Sequence, residues 1–230
     1  GVVDDACLTN AAVGTWKGTI ISEKAIAGGV YKKYENEGSL KTELYKATVS
    51  DEGAEYQVYY DTFLNAKNVV IALTSGEDGG QATLKMLANF TASKRQLFYD
   101  AWDEETTREI TLDLNGYTFK NNGTGEDGLI SINKAGVITI NDTSEGKTGK
   151  MVAPAGAGYF LHSARYTAYV PNYIVNGGTF EGNAPLCNAT TEGSIGALVN
   201  SGTFDVDPTL FVDDSEHQVI KNDDGTLKDN

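Results

Sequence analysis

The sequence is poor in the residues that build metal centres and disulfide frameworks. Its 230 residues include 2 cysteines, Cys7 and Cys187, and 2 histidines, His162 and His217. Because no metal-ligand spacing joins these four residues, we expect neither a metal site nor a cofactor. An exported protein could join the cysteines in one disulfide. Their separation favours two free thiols, since residues far apart in a repeat protein's sequence usually lie far apart in space.

Positive charge and long apolar runs are also lacking. The chain has 18 Lys and Arg residues against 32 Asp and Glu, for a net charge of -14. Such a surface repels phosphate backbones, which disfavours a nucleic-acid partner, and no apolar run is long enough for membrane insertion. Residues 1–5 begin with glycine and carry no signal-peptide pattern. We predict an extracellular or cell-surface protein whose leader has been removed, with a cytosolic origin as the alternative.

Glycine is abundant and accompanies a short motif that recurs. There are 26 glycines against 4 prolines, which predicts many tight turns between short strands. The clear copies are residues 115–119 (NGYTF), 176–180 (NGGTF) and 200–204 (NSGTF), and residues 135–141 (AGVITIN) form a degenerate copy. The last two clear copies begin 24 residues apart, at Asn176 and Asn200, and Thr118 precedes Thr139 by 21. A period in the low twenties is typical of one turn of a parallel β-helix.

Alternating apolar residues accompany the motif. Ile110, Leu112 and Leu114 are predicted to face inward, and Thr111, Asp113 and Asn115 outward. Stacked coils place like residues above like residues, so we expect an asparagine hydrogen-bond ladder and a stack of Phe180 on Phe204. The sequence therefore predicts an all-β fold, a right-handed parallel β-helix, with handedness taken from the crossover rule. An antiparallel sandwich is the alternative.

The sequence patterns at the two ends of the chain differ from those of the repeats. Residues 61–75 are predicted to form a capping helix, with Asp61 as N-cap and an apolar face of Phe63, Ala66, Val70 and Leu73 that Leu64 and Val69 broaden. Residues 82–90 are predicted to form one strand, and Asp224-Gly225 a C-terminal hairpin cap. We divide the chain into an N-terminal β-rich segment or irregular cap, residues 1–54, and a β-helix domain, residues 55–230.

Three segments carry a family resemblance. Residues 110–119 (ITLDLNGYTF), 81–91 (QATLKMLANFT) and 202–228 resemble strands of pectin-lyase-like β-helix proteins, in particular those of large secreted or wall-anchored proteins from gut and anaerobic bacteria. The resemblance covers roughly residues 55–230. It implies the right-handed β-helix and an adhesin-like surface role, and it specifies fold rather than activity.

Enzymes with this fold need constellations that the sequence does not display. A polysaccharide lyase needs Arg or Lys beside a calcium-binding carboxylate cluster, but Arg95, Arg108 and Arg165 lie in no such motif. A glycoside hydrolase needs two carboxylates about 5–10 Å apart, and the paired motifs of polygalacturonases are missing. The acidic runs around Trp102 and at residues 205–214 suggest solvated loops rather than calcium sites. We expect no catalytic residue, and keep a lyase, a hydrolase and a purely structural spacer as alternatives.

One tyrosine-rich segment, residues 156–173, interrupts the regular coils. Sugars dock on exposed aromatic rings, and Arg or His can donate hydrogen bonds to their hydroxyls. The candidate ligand-binding residues are Tyr159, His162, Arg165, Tyr166, Tyr169 and Tyr173. Packing of these tyrosines onto the solenoid is the alternative interpretation. The sequence predicts a non-catalytic surface module for adhesion or glycan contact, with host or plant glycans or glycoproteins as partners and a larger surface chain as context.

Overall fold

The computed structural model describes most of the chain after residue 44. The described residues are 18–20, 26–29, 45–51, 54–60, 62–75, 80–99, 106–123, 128–133, 135–163, 171–188, 196–213, 215–216, 218–223 and 227. Cys7, Asp61 and Asp224-Gly225 lie outside them, so the predicted disulfide alternatives and the hairpin turn itself remain predictions. Among the described residues, no helix has the length and hydropathy needed to cross a bilayer.

The secondary structure is dominated by short strands. They are β1 (Gly18–Ile20), β2 (Ile26–Gly29), β3 (Tyr45–Asp51), β4 (Ala54–Tyr60), β5 (Gly80–Met86), β6 (Phe90–Ala92), β7 (Gln96–Leu97), β8 (Arg108–Asp113), β9 (Thr118–Asn121), β10 (Ile130–Ser131), β11 (Val137–Asn141), β12 (Lys150–Val152), β13 (Leu161–His162), β14 (Tyr173–Glu181) and β15 (Ala197–Phe204). Helix α1 (Phe63–Leu73) precedes β5, and the 3₁₀ turn η1 (Thr209–Phe211) follows β15.

From β5 onward the strands form a parallel β-solenoid of about four turns, and each turn contributes to three faces. The first face contains β5, β8, β11 and the starts of β14 and β15. The second contains β6, β9, β12 and the ends of β14 and β15. The third contains β7, β10 and β13, and a parallel bridge from Leu161 extends it to Cys187. The predicted β-helix is therefore confirmed.

The turns differ in length more than the motif spacing predicted. Ala82 pairs with Ile110 and Ile110 with Ile138, at intervals of 28 residues, whereas Ile138 to Tyr173 takes 35 and Tyr173 to Ala197 takes 24. The last turn has the interval of 24 residues that the motif predicted, whereas the earlier turns are longer because their corners hold more chain.

The degenerate motif copy was also misaligned. Thr139 pairs with Thr111 on the first face, while Thr118 pairs with Lys150 on the second. Residues 135–141 are therefore a first-face strand and not a copy of the corner motif. The three clear copies do align, because Thr118, Lys150, Thr179 and Thr203 follow one another in register.

Aromatic side chains stack along the inside of the second face. The successive residues are Phe90, Phe119, Met151, Phe180 and Phe204. Phe180 lies on Phe204 with ring centroids 4.9 Å apart and ring planes 15° apart, as predicted. Burying one such side chain stabilises the fold by roughly 1.5–3 kcal/mol. A coil cannot bury these rings alone, so the stack links each turn to the next.

Helix α1 covers the open end of the first turn, as predicted. Phe63 stacks on Phe90 at 4.1 Å and lies 5.3 Å from Phe119, so the helix packs one ring against the aromatic side chains of both the first and the second turn. The helix begins one residue later than expected, because the Thr62 side chain accepts a hydrogen bond from the Asn65 amide. Leu64 is 49% exposed and does not broaden the apolar face.

Buried Arg108 closes the other end of this helix. Its guanidinium donates to the Ile71 carbonyl at the last turn and to the Thr74 hydroxyl, which itself donates to the Val70 carbonyl. A cation at a helix C-terminus satisfies carbonyl groups that lack an intrahelical partner and complements the helix dipole. This arginine therefore joins the cap to the first strand of the second turn.

Antiparallel strands extend the first face upstream. Strands β3 and β4 form a hairpin, and β3 also pairs with β5. The predicted domain boundary at residues 54/55 runs through this hairpin. The single strand predicted at residues 82–90 is instead two strands, β5 and β6, on two faces. Near the C-terminus, an antiparallel bridge joins Lys221 to Leu227 on either side of the predicted hairpin turn.

Candidate functional site

The corner between the first and second faces carries the asparagine ladder (Asn141, Asn176, Asn200). The Asn200 amide donates to Asn176 Oδ1 at 2.8 Å, and the Asn176 amide donates to Asn141 Oδ1 at 3.1 Å. The predicted ladder is confirmed, although Asn115 is not a member. Asn115 has a φ of 47° and donates to the Met86 carbonyl, which lets it turn the chain at this corner.

Two buried carboxylates lock the same corner. Asp142 accepts hydrogen bonds from the Gly116 amide at 2.9 Å, from the Gly149 amide at 2.7 Å, and from the amide and hydroxyl of Ser144. Burial raises the pKa of Asp142, but these hydrogen bonds outweigh it and the net pKa is below its ordinary value. The carboxylate is therefore held ionised by backbone donors within the corner.

Asp113 is the second of these carboxylates. The sequence predicted that its side chain faces outward, but Asp113 is only 4% exposed and does not project into solvent. It accepts from the amides of Asn115 and Thr143, both at 3.0 Å, and from the Thr143 hydroxyl at 2.6 Å, with the Lys85 ammonium 3.4 Å away. The carboxylate is shielded from solvent because Lys85, its partner in register on β5, and Thr143 cover it at the end of β8.

On the outer side of the third face, side chains from different turns contact one another. Leu97, Ser131 and His162 follow one another in register on β7, β10 and β13. Ser131 Oγ and His162 Nδ1 lie 3.1 Å apart, and the rings of His162 and Tyr159 are 5.6 Å apart at 49°. The Arg95 guanidinium donates to the Tyr159 hydroxyl at 2.8 Å. We call Arg95, Ser131, Tyr159 and His162 the third-face cluster; it spans three consecutive turns.

Gly128 permits the cluster to cross the middle turn. A β-carbon at this position would lie 2.6 Å from the Tyr159 carbonyl oxygen and 2.5 Å from that of Phe160. No side chain fits at that distance, so the backbones of the second and third turns can approach closely only with glycine. Arg95 from the first turn and Tyr159 from the third can then meet.

Tyr173 lies beneath the cluster and not within it. Its residue is 0% exposed, and its hydroxyl donates to the His162 carbonyl at 2.7 Å. Burial raises the pKa of Tyr173 well above its ordinary value. A buried ring offers no face to a sugar, so this candidate serves the core, where it fixes the strand that carries His162.

Within the tyrosine-rich segment, a buried polar clamp joins Ser163 to Asn172 on either side of residues 164–170. The Ser163 hydroxyl donates to Asn172 Oδ1 at 2.7 Å, and the Asn172 amide donates to the Gly136 carbonyl at 2.6 Å. Asn188 Oδ1 accepts from the Ser163 amide at 2.6 Å. The two chain ends that flank residues 164–170 are therefore held together by side chains that burial makes costly to separate.

The predicted candidates are thus divided into three groups. The structure brings Tyr159 and His162 together, places Tyr173 in the core, and leaves Arg165, Tyr166 and Tyr169 outside the described residues. Arg95 and Ser131 were missed as candidates. The period that the motif suggested was too short to align them with Tyr159 and His162, whereas the observed register of β7, β10 and β13 does so.

The acidic residues near the C-terminus have structural partners. Asp207 pairs with Lys221 and accepts from the hydroxyl and amide of Thr209 at the start of η1, and these contacts lower its pKa to about 2. Asp213 accepts from the amide and hydroxyl of Ser215. Within the described ranges, no three His, Cys, Asp or Glu residues are grouped so that they could hold a metal ion.

Comparison with family models, curated proteins and solved structures finds no match for this chain. The solenoid is therefore established by the structure alone, and the resemblance to pectin-lyase-like proteins stays a prediction.

Proposed function

We propose that this chain is a non-catalytic module of an extracellular surface protein, and that it contacts glycans of a host or a plant through its third face. The observation that carries the proposal is the hydrogen bond from Arg95 to Tyr159 across two turns, with His162 beside the tyrosine ring. It supplies an aromatic ring and polar donors on a rigid support, which is the combination that carbohydrate contact requires.

The clamp at Ser163 and Asn172 supports the same proposal. It ties both ends of the segment that contains Arg165, Tyr166 and Tyr169 to the turn that carries His162. Function commonly resides in insertions that a rigid scaffold holds. These three residues therefore remain candidate contributors, and together with Tyr159 and His162 they form the proposed contact region.

The roles of the polar core groups favour a binding module over a hydrolase or lyase. The carboxylates of Asp113 and Asp142 are occupied by backbone amides of the corner, and Arg108 is occupied by the helix end. A catalytic acid or base must reach the proton that it transfers, and these groups are directed at the protein's own backbone. In a purely structural spacer, the contact of Arg95 with Tyr159 across turns would contribute to stability alone.

Immobilised mucins, plant cell-wall glycans and a glycan array provide the test. We expect the chain to bind at least one glycan class, and Tyr159→Ala combined with His162→Ala to weaken that binding about tenfold or more, the loss expected from one or two polar or stacking contacts. Tyr117→Ala is the matched control, because Tyr117 is a similarly half-buried tyrosine at the corner between the first and second faces. It should bind as the parent chain does.

Two results would contradict the proposal. Unchanged binding by the Tyr159/His162 variant would remove the third face as the contact surface. New reducing ends, or an unsaturated product absorbing in the ultraviolet after incubation with pectin, alginate or glycosaminoglycans, would make the protein an enzyme.

A further inference from the structure

The last strand of the solenoid is covered along only part of its free edge. Strand β15 pairs with β14 on one side. On its other side, Val212 forms a parallel bridge with Val199, and the neighbouring Phe211 is buried, so the C-terminal tail covers the beginning of the strand. In the part of the chain that the structure describes, residues 200–204 have no strand partner on this side. The second-face half of β15 is therefore an open sheet edge.

This edge carries no charge and no proline, the residues that often keep an edge strand from pairing further. Natural proteins commonly protect such strands with charged side chains, with proline, or with a covering helix or loop. The sequence of β15, ALVNSGTF, contains neither kind of residue. The opposite end of the solenoid is covered by helix α1, whose Phe63 packs on Phe90. The C-terminal end thus presents an unprotected strand where the other end presents a helix.

Two columns of like residues end at this edge. Phe204 ends the aromatic stack: it is half-buried and lies on Phe180 at 4.9 Å, and no further aromatic ring among the described residues contacts it. Asn200 ends the asparagine ladder: its amide donates to Asn176, and its own Oδ1 accepts no hydrogen bond from the described residues. Each ladder member donates to the asparagine of the preceding turn, so the amide of an added strand would donate to Asn200. The edge therefore specifies an apolar side chain and an amide on its partner.

Exposed carboxylates flank the open edge. Asp205 directly follows β15 and accepts from the Gly182 amide at 2.8 Å, which places it at the end of the strand pair. Asp213 directly follows Val212, the residue that pairs with β15, and its carbonyl accepts from the Glu216 amide at 3.2 Å. All three acidic residues are exposed. A second copy docked edge to edge would bring these like charges together, whereas lysine or arginine residues beside an incoming strand would be attracted.

We propose that residues 200–204 bind an extended strand of a partner protein by parallel strand addition. The strand places an asparagine amide against Asn200, an aromatic or branched apolar side chain against Phe204, and basic residues at its flanks. In complexes of this kind, backbone hydrogen bonds supply affinity and alternate side chains supply specificity. This docking surface goes beyond the proposed glycan contact, which lies on the third face.

A synthetic peptide based on β14 is the probe. The fluorescein-labelled sequence KYIVNGGTFK carries residues 173–180 between two lysines, and fluorescence anisotropy measures its binding to the intact chain. We expect saturable binding, with protection from amide hydrogen exchange at residues 200–204. Replacing the peptide's phenylalanine by aspartate should weaken binding about tenfold or more, the loss expected when one apolar side chain is no longer buried. Replacing both lysines by glutamate should also weaken it, because the flanks of the edge are acidic.

Variants of the chain locate the site. Phe204→Ala should weaken peptide binding about tenfold or more, for the same reason as the change in the peptide. Leu64→Ala is the matched control, because Leu64 is an exposed apolar residue on the helix that covers the opposite end. It should bind the peptide as the parent chain does, and so should Tyr159→Ala/His162→Ala. Circular dichroism of each variant verifies that the fold is retained.

Each alternative outcome has one meaning. Absence of binding by the lysine-flanked peptide, or equal binding after its phenylalanine is replaced, would overturn strand addition. Equal binding by the Phe204→Ala chain would place the peptide elsewhere and would overturn the site. A dimer of the parent chain in sedimentation equilibrium, lost in Phe204→Ala, would make a second copy the occupant and overturn the partner strand.

Discussion

The first–second corner and the outer third face use their polar groups in opposite ways. At the corner, Asp113 and Asp142 accept from backbone amides, and the asparagine ladder consumes its amide groups within the protein. On the third face, Arg95, Tyr159 and His162 reach across turns at the half-buried surface. The corner therefore specifies the path of the chain, while the third face keeps donors and a ring near solvent. The number of polar residues in a region does not by itself identify a binding surface. The contacts that their polar atoms make, with the protein or near solvent, are what distinguish the two regions.

The largest effect that would test this comparison lies in the core that supports both regions. Phe119→Ala should lower the free energy of unfolding by about 3–5 kcal/mol, because it leaves a cavity between Phe90 and Met151 in the stack. Phe204→Ala, at the half-buried end of the stack, should cost less than half as much. Urea denaturation followed by circular dichroism measures both, and equal losses would contradict a continuous stack.

A smaller loss is expected when the corner loses its carboxylate. Asp142→Ala leaves the buried amide of Gly149 and the half-buried amide of Gly116 without their acceptor, which should cost about 2–4 kcal/mol. The folded pKa of Asp142 is lowered from 3.8, so its contribution is present above the unfolded pKa and is lost as pH falls through the folded pKa. The parent chain should lose this part of its stability on acidification below about pH 4. A parallel pH profile for Asp142→Ala would show that another group is responsible.

The asparagine ladder is more exposed, and its contribution should be smaller. Asn176→Ala removes two side-chain hydrogen bonds, to Asn141 and from Asn200, and should cost about 1 kcal/mol. The end member offers a graded comparison, because Asn200→Ala removes one of the two bonds and should cost about half as much. Thermal unfolding resolves the order; an Asn200 variant less stable than the Asn176 variant would contradict the ladder as the source.

The smallest effect on stability is expected on the third face. Tyr159→Phe removes the acceptor of the Arg95 hydrogen bond at a half-buried position and should cost at most about 0.5 kcal/mol. The matched change Tyr173→Phe deprives the His162 carbonyl of a buried donor and should cost about 1–2 kcal/mol. Denaturant titrations of the two variants compare the surface with the core. A loss at Tyr159 as large as that at Tyr173 would indicate that the cluster is structural.

Stacking and alternation allowed much of the fold to be predicted from the sequence. Phe180 over Phe204, the asparagine ladder and the capping helix all follow from placing like residues in successive turns. Turn length did not follow, because the chain in the corners has no periodic pattern, and Thr139 was consequently assigned to the wrong face.

The site was harder to predict because its parts are distant in sequence. Arg95 meets Tyr159 across 64 positions, and the turn between them can approach the Tyr159 backbone closely because residue 128 is glycine. Nothing adjacent to Arg95 in the sequence signals this contact. Tyr173 was misread for the complementary reason: its tyrosine neighbours suggested a surface segment, whereas strand alternation in β14 directs it inward.

The clamp between Ser163 and Asn172 joins the residue that follows β13 to the residue that precedes β14. Since the Ser163 hydroxyl binds the Asn172 side chain directly, we expect an exchange of residues 164–170 to leave the registers of β13 and β14 unchanged. Residues 164–170 are therefore a suitable place for grafting foreign peptides. Tolerance of exchange at these positions would also let natural variants differ there while the solenoid stays constant.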